Sequence, residues 1–202
     1  MPDLCIRQLG LQPYVHTLKL MQDFTTNRDA STADEVWLVE HFPVYTQGQA
    51  GKDCHVLARN TIPLIKSDRG GQITYHGPGQ LVIYVLMDLA RKKFGVRDLV
   101  SQLESIVIDS LKHWGISAQT KHGAPGVFVE NKKIASIGLR VKKGCTYHGI
   151  ALNISMDLEP FKYINPCGDS SLKMTQVCDF FPGINMPDVI ENLLPYLSME
   201  HA

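Results

Sequence analysis

Pro166-Cys167-Gly168 sets a thiol in a constrained loop. Pro166 has no N–H and holds Asn165 extended, and Gly168 admits backbone angles closed to other residues. A thiol so presented can act as a nucleophile, and the N–H groups of Cys167 and Gly168 can stabilise an oxyanion. An isolated Pro-Cys-Gly is equally well an inert loop cysteine. Lys133 changes the balance. Period-two alternation along Lys132–Val141 puts Lys133, Ala135, Ile137, Leu139 and Val141 on one face and Lys132, Ile134, Ser136, Gly138 and Arg140 on the other. Lys133 heads the apolar row, where an ammonium is disfavoured and a neutral amine can serve as general base. The plain alternative is a lysine that snorkels to solvent at a strand end. Together Cys167 and Lys133 suggest a dyad that forms and passes on a thioester.

Two further segments bear on a site. Arg69-Gly-Gly-Gln-Ile-Thr-Tyr-His76-Gly-Pro-Gly-Gln80 is rich in glycine. No Gly-Lys-Ser/Thr follows and a strand comes next, so neither a P-loop nor a dinucleotide fingerprint fits. The segment reads as a loop that lets a ligand approach the backbone, lined by Tyr75 and His76, or as a tight turn between strands. In Cys145–Met156, His148 shares a face with Ile150, Leu152 and Ile154 and reads first as a packed, hydrogen-bonded core residue, second as a pocket wall.

The elements that position these residues follow from patterning. Gln12–Asn27 reads as a helix, Asn27–Asp34 as a loop, Glu35–Glu40 as a strand ended by Pro43, and Gln47–Asp53 as a glycine-containing loop. Ile62–Lys66 is a short strand. The apolar run Leu81–Leu89 suits a strand buried on both faces. Asp98–Trp114 is a helix with Leu99, Leu103, Ile106 and Leu111 on one face and a stop at Gly115. Gly126–Glu130, Lys132–Val141 and Cys145–Met156 are joined by hairpin-length turns as a meander, not a βαβ array. Asp157–Gly168 is a loop, and Pro187–Leu197 a last helix. Helices and antiparallel strands in separate blocks give an α+β class.

The 202 residues fit one domain, spanning 1–202, with a substantial core. Twenty basic and twenty acidic residues give a formal net charge of zero, which argues against nucleic acid as a partner. No segment approaches a membrane span, and Met1–Gly10 has no apolar leader core, so a cytoplasmic location away from membranes is expected. The five cysteines, Cys5, Cys54, Cys145, Cys167 and Cys178, contain no CxxC. Neither a disulfide framework nor a zinc site is expected.

Taken together, the segments resemble one family. Arg69–Gln80 is similar to the signature of lipoyl(octanoyl) transferases, and Lys133-Ile-Ala-Ser-Ile-Gly-Leu-Arg140 to their lysine strand. His148-Gly-Ile-Ala-Leu-Asn153, Asn165-Pro-Cys-Gly168 and Glu40-His-Phe-Pro-Val-Tyr-Thr-Gln-Gly48 match further blocks, in order along nearly the whole chain. One departure is Asp169–Lys173, poorer in aromatic and glycine residues than the family pattern. The resemblance implies a mixed or antiparallel sheet with packed helices, like the biotin- and lipoate-protein ligases. It implies transfer of an octanoyl group from octanoyl-acyl carrier protein to a lysine of lipoyl domains, an early step of lipoate assembly. Acceptors would be the lipoyl domains of 2-oxoacid dehydrogenase E2 subunits and the glycine cleavage H protein. Carried over by position, Cys167 is the acyl-accepting nucleophile and Lys133 its activator. The substrate pocket comprises Arg69, Gly70, Gly71, Gln72, Ile73, Thr74, Tyr75 and His76, with Ser136, Ile137, Gly138, Gly149, Ile150 and Ala151. The expected enzyme is a monomer without cofactor or metal. The missing side chains of Gly71, Gly77, Gly138 and Gly149 would make room for the acyl chain. Arg91-Lys92-Lys93 and Lys142-Lys143 are candidate docking residues for the acidic carrier, or ordinary solvated turns. Rival readings on the same residues are an ATP-dependent lipoate ligase, an amidotransferase between lipoyl domains, and a carrier-binding module without chemistry.

Overall fold

The computed structural model describes residues 4–58, 60–93 and 95–197. The N-terminal reading falls partly on residues 1–3, outside the described residues. Among the described residues, seven strands form one sheet in the order β1-β2-β6-β10-β9-β8-β7 and three form a second, β4-β3-β5. The α+β class with a mixed sheet stands.

The chain opens with β1 (Cys5–Gln12), α1 (Tyr14–Asn27) and β2 (Glu35–His41). β1 and β2 pair in parallel, so this is a βαβ crossover that patterning did not anticipate. β1 is a half-exposed edge strand whose apolar residues, Ile6, Leu9 and Leu11, follow no strict alternation. It also takes Gln12 from the expected helix, which starts after Pro13. β3 (Val44–Gln47), β4 (Leu64–Lys66) and β5 (Ile73–His76) make the small sheet. β5 lies inside the glycine-rich segment. Ile-Thr-Tyr-His is β-branched and aromatic, and it pairs antiparallel with β3.

β6 (Gln80–Leu86) is buried along its whole length. Leu81, Ile83 and Val85 face one side and Val82, Tyr84 and Leu86 the other. The expected strand continued to Leu89, but Leu89 instead opens α2 (Leu89–Lys92), capped by the Asp88 carboxylate on the Arg91 N–H. α3 (Val96–His113) lays Leu99, Leu103, Ile106 and Leu111 on the Leu81/Ile83 face beside α4 (Met186–Leu197). α1 covers the opposite face with Met21, Leu18 and Phe24. β7 (Gln119–Thr120), β8 (Gly126–Val129), β9 (Lys132–Lys142) and β10 (Cys145–Asn153) complete the sheet, the last three as the expected meander. The expected loop 157–168 contains 3-10 turns at Glu159–Tyr163 and Pro166–Gly168.

Polar groups are buried between α1, β2 and the small sheet. The His41 ring bonds the Gln12 carbonyl at 2.9 Å and the Tyr84 hydroxyl at 2.7 Å. Burial pushes His41 down to about 4. It pushes His76 down to about 3, helped by the nearby charges of His41 and Arg69. Each imidazole stays neutral in the fold below 6.5, its ordinary value, while the unfolded chain takes up the proton. Stability is therefore expected to fall as pH drops from about 6.5 towards 4, by about 1.4 kcal/mol per pH unit for each histidine. Thermal melting across that range should show the decline, and His41→Gln should make it shallower. A flat melting profile would show that the fold accepts both protons.

Candidate active site

A cavity of about 530 Å³ lies between the α1 side of the main sheet and β5. Its walls are Arg69–Thr74 and His76, Ser136–Leu139 of β9 and Gly149–Ala151 of β10, with Val82, Tyr14 and Tyr84. Lys133, Phe128 and Cys167 also line it. Of the fourteen pocket positions expected from sequence, Tyr75 is the one that does not line it. Alternation along β5 turns its ring away onto Tyr45 and Phe161. Gly77 does not widen the cavity either: a side chain there would collide with the Tyr75 ring.

Lys133 reaches this cavity by a route that simple alternation does not give. β8 and β9 pair Val127 with Ala135 but Phe128 with Lys133, so β9 carries one extra residue, Ile134. Such a bulge reverses the faces beyond it. Val127 and Ala135 belong to the core under α3. Phe128 faces the cavity, and its partner Lys133 does too. Lys133 therefore does not head the row of Ala135, Ile137 and Leu139. It sits with Ser136 and Gly138, 2% exposed, its Nζ 5.2 Å from the centre of the Phe128 ring. Its backbone is pinned on the outer side: Lys133 N–H donates to Lys173 (2.8 Å) and Lys133 carbonyl accepts from Thr175 N–H (3.0 Å).

Gly126 makes room for the amine. A methyl there would collide with the Ala135 carbonyl and stand 2.8 Å from Lys133 Cε. Its N–H donates to the buried Glu104 carboxylate at 2.8 Å.

The thiol comes from the 3-10 turn Pro166–Gly168. Cys167 has φ +56°, a left-handed conformation uncommon for a residue with a side chain, and is exposed. Lys133 Nζ lies 3.3 Å from Cys167 Sγ. Gly168 N–H donates to the Asn165 carbonyl at 3.0 Å, so it is already committed and does not join an oxyanion site as sequence suggested. The turn is braced by Asn165 N–H on the His55 carbonyl at 2.8 Å.

Sequence missed Asp68, Tyr14 and Tyr84, and placed His148 on the wrong face. His148 has φ +62°, which swings it off the Ile150/Leu152 row to stack on Tyr147 at 5.0 Å and bond Asp68 at 2.9 Å. Burial lowers the His148 pKa against the pull of Asp68. Burial works to raise Asp68, but hydrogen bonds from His148, Tyr147 and Gln22 outweigh it and hold the carboxyl well below the usual carboxylate range. Asp68 precedes the glycine segment directly, and only its neighbours in space reveal it.

Of the docking candidates, Arg91 is engaged within the fold, while Lys93 and Lys143 are exposed. Arg91 bonds the buried Asp34 carboxylate, which Arg28 also clamps. Lys142 and Lys143 lie at the far end of β9, roughly 30 Å along the strand from Lys133. Among the described residues there is no cluster of potential metal ligands and no helix long and apolar enough to cross a membrane.

The fold is that of lipoate- and biotin-protein ligases. A lipoate-protein ligase A bound with ATP superposes with TM-score 0.77 at 16% identity, over 98% of this chain and 84% of that one. A biotin protein ligase from Aquifex aeolicus, in complex with biotin and ATP, gives 0.56 at 14%, over 98% and 69%. The sequence narrows this: the chain belongs to the family described as lipoyl protein ligase A/B catalytic domain, whose model matches residues 13–198. Among curated relatives, an octanoyltransferase of Legionella pneumophila (strain Paris) is 56% identical over 96% of this chain and 97% of its own length. One of Vibrio cholerae serotype O1 is 55% identical over 99% and 94%.

Gly126→Ala should lower stability by more than about 1 kcal/mol, because φ is +125° there, and displace the amine. Cys167 should then react more slowly with iodoacetamide at neutral pH, read by peptide mapping. Unchanged reactivity in a folded variant would show that Gly126 does not set the position of Lys133.

Proposed function

We propose that this protein is an octanoyltransferase of one catalytic domain, carrying an octanoyl group from octanoyl-acyl carrier protein through Cys167 to a lysine of a lipoyl domain. The observation that carries the reading is the 3.3 Å approach of Lys133 Nζ to Cys167 Sγ at a largely apolar cavity. Relatives at 54–56% identity that bear the octanoyltransferase name support it.

Lys133 Nζ takes the Cys167 proton, and the thiolate attacks the thioester carbonyl of the donor. The tetrahedral intermediate collapses, the C–S bond to the carrier breaks, and the leaving thiolate takes the proton back from Lys133. An octanoyl-Cys167 thioester remains. The acceptor amine then attacks the same carbonyl and gives its proton to Lys133. The bond to Sγ breaks and the amide is released. Thioester to amide is downhill, so the reaction requires neither ATP nor a cofactor.

Arg69–Thr74, His76, Ser136–Gly138 and Gly149–Ala151 would hold the chain, and burying eight carbons contributes at most roughly 6 kcal/mol. Lys121, on the cavity rim, is a cation suited to meet an acidic carrier. The acceptors would be lipoyl domains of 2-oxoacid dehydrogenases and the glycine cleavage system, reached in the cytoplasm.

Intact-protein mass spectrometry after mixing with octanoyl-acyl carrier protein, without ATP, tests this. The expected result is one octanoyl mass on Cys167, discharged by a lipoyl domain. Cys167→Ala should stay folded and carry no adduct. Lys133→Ala should slow acylation about 10²–10⁴-fold, and Lys132→Ala hardly at all. Transfer only with ATP and free acid would overturn the reading in favour of a ligase. Equal effects of the two lysine variants would remove Lys133 from the mechanism.

A further inference from the structure

A continuous hydrogen-bond chain runs through the protein from Arg69 to the peptide of Lys133. Arg69 Nε and Nη2 donate to Thr46 Oγ1 at 3.3 and 2.9 Å. Thr46 Oγ1 meets His76 Nε2 at 3.2 Å, and His76 Nδ1 meets Gln80 Oε1 at 2.7 Å. Gln80 Nε2 donates to Asn153 Oδ1 at 2.9 Å, and Asn153 Nδ2 donates to the Thr175 carbonyl at 2.9 Å. Thr175 N–H donates to the Lys133 carbonyl at 3.0 Å.

Chemistry fixes the direction of every link. A guanidinium only donates, so the Thr46 hydroxyl proton must go on to His76 Nε2. His76 Nδ1 then carries the proton and gives it to Gln80. At the other end a backbone carbonyl only accepts, so Asn153 must turn its nitrogen to Thr175 and its oxygen to Gln80. The Tyr75 carbonyl, 3.2 Å from Gln80 Nε2, fixes that amide the same way. The two ends impose one polarity independently, and they agree. Links of uniform direction strengthen one another. Thr46, Gln80, Asn153 and Thr175 are buried away from the cavity, and His76, which lines it, is 6% exposed. The neutrality of His76 is part of the design: an imidazolium would present two donors and break the link to Thr46.

We infer that Thr46, His76, Gln80 and Asn153 are positioning residues, which hold the segment 173–175 against Lys133 and so fix the distance from its amine to the Cys167 thiol. The chain also ties Arg69, at the head of the cavity-lining segment, to the same lysine. This inference rests on the proposed dyad, and its test is read on thiol reactivity as well as on acyl transfer.

Asn153→Asp is the discriminating variant. An ionised carboxylate there accepts from Gln80 but opposes the Thr175 carbonyl. Both octanoyl transfer to Cys167 and its alkylation by iodoacetamide should slow, by up to about 10²-fold, the cost of a small misplacement. As pH falls from about 8.5 to about 5.5, a buried carboxyl takes up its proton and can donate to Thr175. The ratio of variant to wild-type rate should therefore climb as pH falls. The titratable groups around Asn153 are His76 beyond Gln80, Lys133 and Asp179 beyond Thr175, whose hydroxyl bonds Asp179 at 2.7 Å, and Cys178, whose N–H bonds the neighbouring Ile154 carbonyl at 2.9 Å. All are present in both proteins, so the ratio isolates the new carboxyl. A ratio that does not change with pH overturns the inference, whatever happens to the melting temperature. If Asn153→Asp does not fold, Thr46→Val and Thr46→Ser replace it: loss with valine and recovery with serine support the chain, and a valine variant that matches wild type in rate and pH profile overturns it. A wild-type protein that never acylates from the carrier bears on the proposed function alone, because the alkylation ratio still reads the chain.

Discussion

The position of one amine depends on a one-residue irregularity in β9. Without the extra residue at Ile134, strict alternation would send Lys133 under α3, into a core built from Leu, Ile and Val. A lysine there would be an unpaired charge in a dry interior, which folded proteins avoid. With the bulge, Ile134 takes the core position and is fully buried, and Lys133 turns to the cavity. The same step that satisfies the apolar core thus delivers the polar group to the site. Gly126, the Phe128 ring and the bridged segment 173–175 then confine it.

The two members of the pair are held in opposite ways. Lys133 is buried on a central element, whereas Cys167 is exposed on a left-handed turn. In the proposed reaction two macromolecules must visit the thiol in succession, so the nucleophile has to be reachable. The base needs no visitor, and burial limits the positions it can adopt. The 3.3 Å contact between them depends on the loop as much as on the strand, and the loop is tied to the strand through Lys173 and Thr175.

Much of this was legible in the sequence. The buried strand within the apolar run Leu81–Leu89, the stripe on α3 and the three-strand meander follow from apolar patterning, which burial enforces directly. The residue types of the site were legible too, because a thiol between Pro and Gly and a lysine entering an apolar strand are unusual neighbours. What failed were the features set by partners in space. β1 carries Ile6, Leu9 and Leu11 out of strict alternation and pairs on the edge that β2 offers. The bulge at Ile134 is defined by its register against β8, which no count along one strand reveals. His148 and Tyr75 went to the opposite sides from those expected, one through a positive φ and the other through the pairing of β5 with β3.

The cavity is asymmetric, and the asymmetry has a physical use. One side is Val82, Ile150, Ala151 and Phe128, suited to a saturated chain. The other is bounded by Arg69 and His76, buried polar groups that apolar contacts alone would leave unsatisfied. Arg69 is answered by Thr46 and the Gly70 carbonyl, and His76 by Thr46 and Gln80. Because Thr46 and Gln80 lie behind the wall, an apolar chain can lie against Arg69 and His76 without breaking these hydrogen bonds. Had Arg69 or His76 pointed an unmet donor or acceptor inward, each bound chain would carry a desolvation cost of about 1–3 kcal/mol. That would consume a large part of what eight buried carbons contribute. Satisfying Arg69 and His76 from behind lowers the cost of laying a hydrocarbon beside them, whereas His148, which also lines the cavity, keeps a buried Nδ1 without a partner.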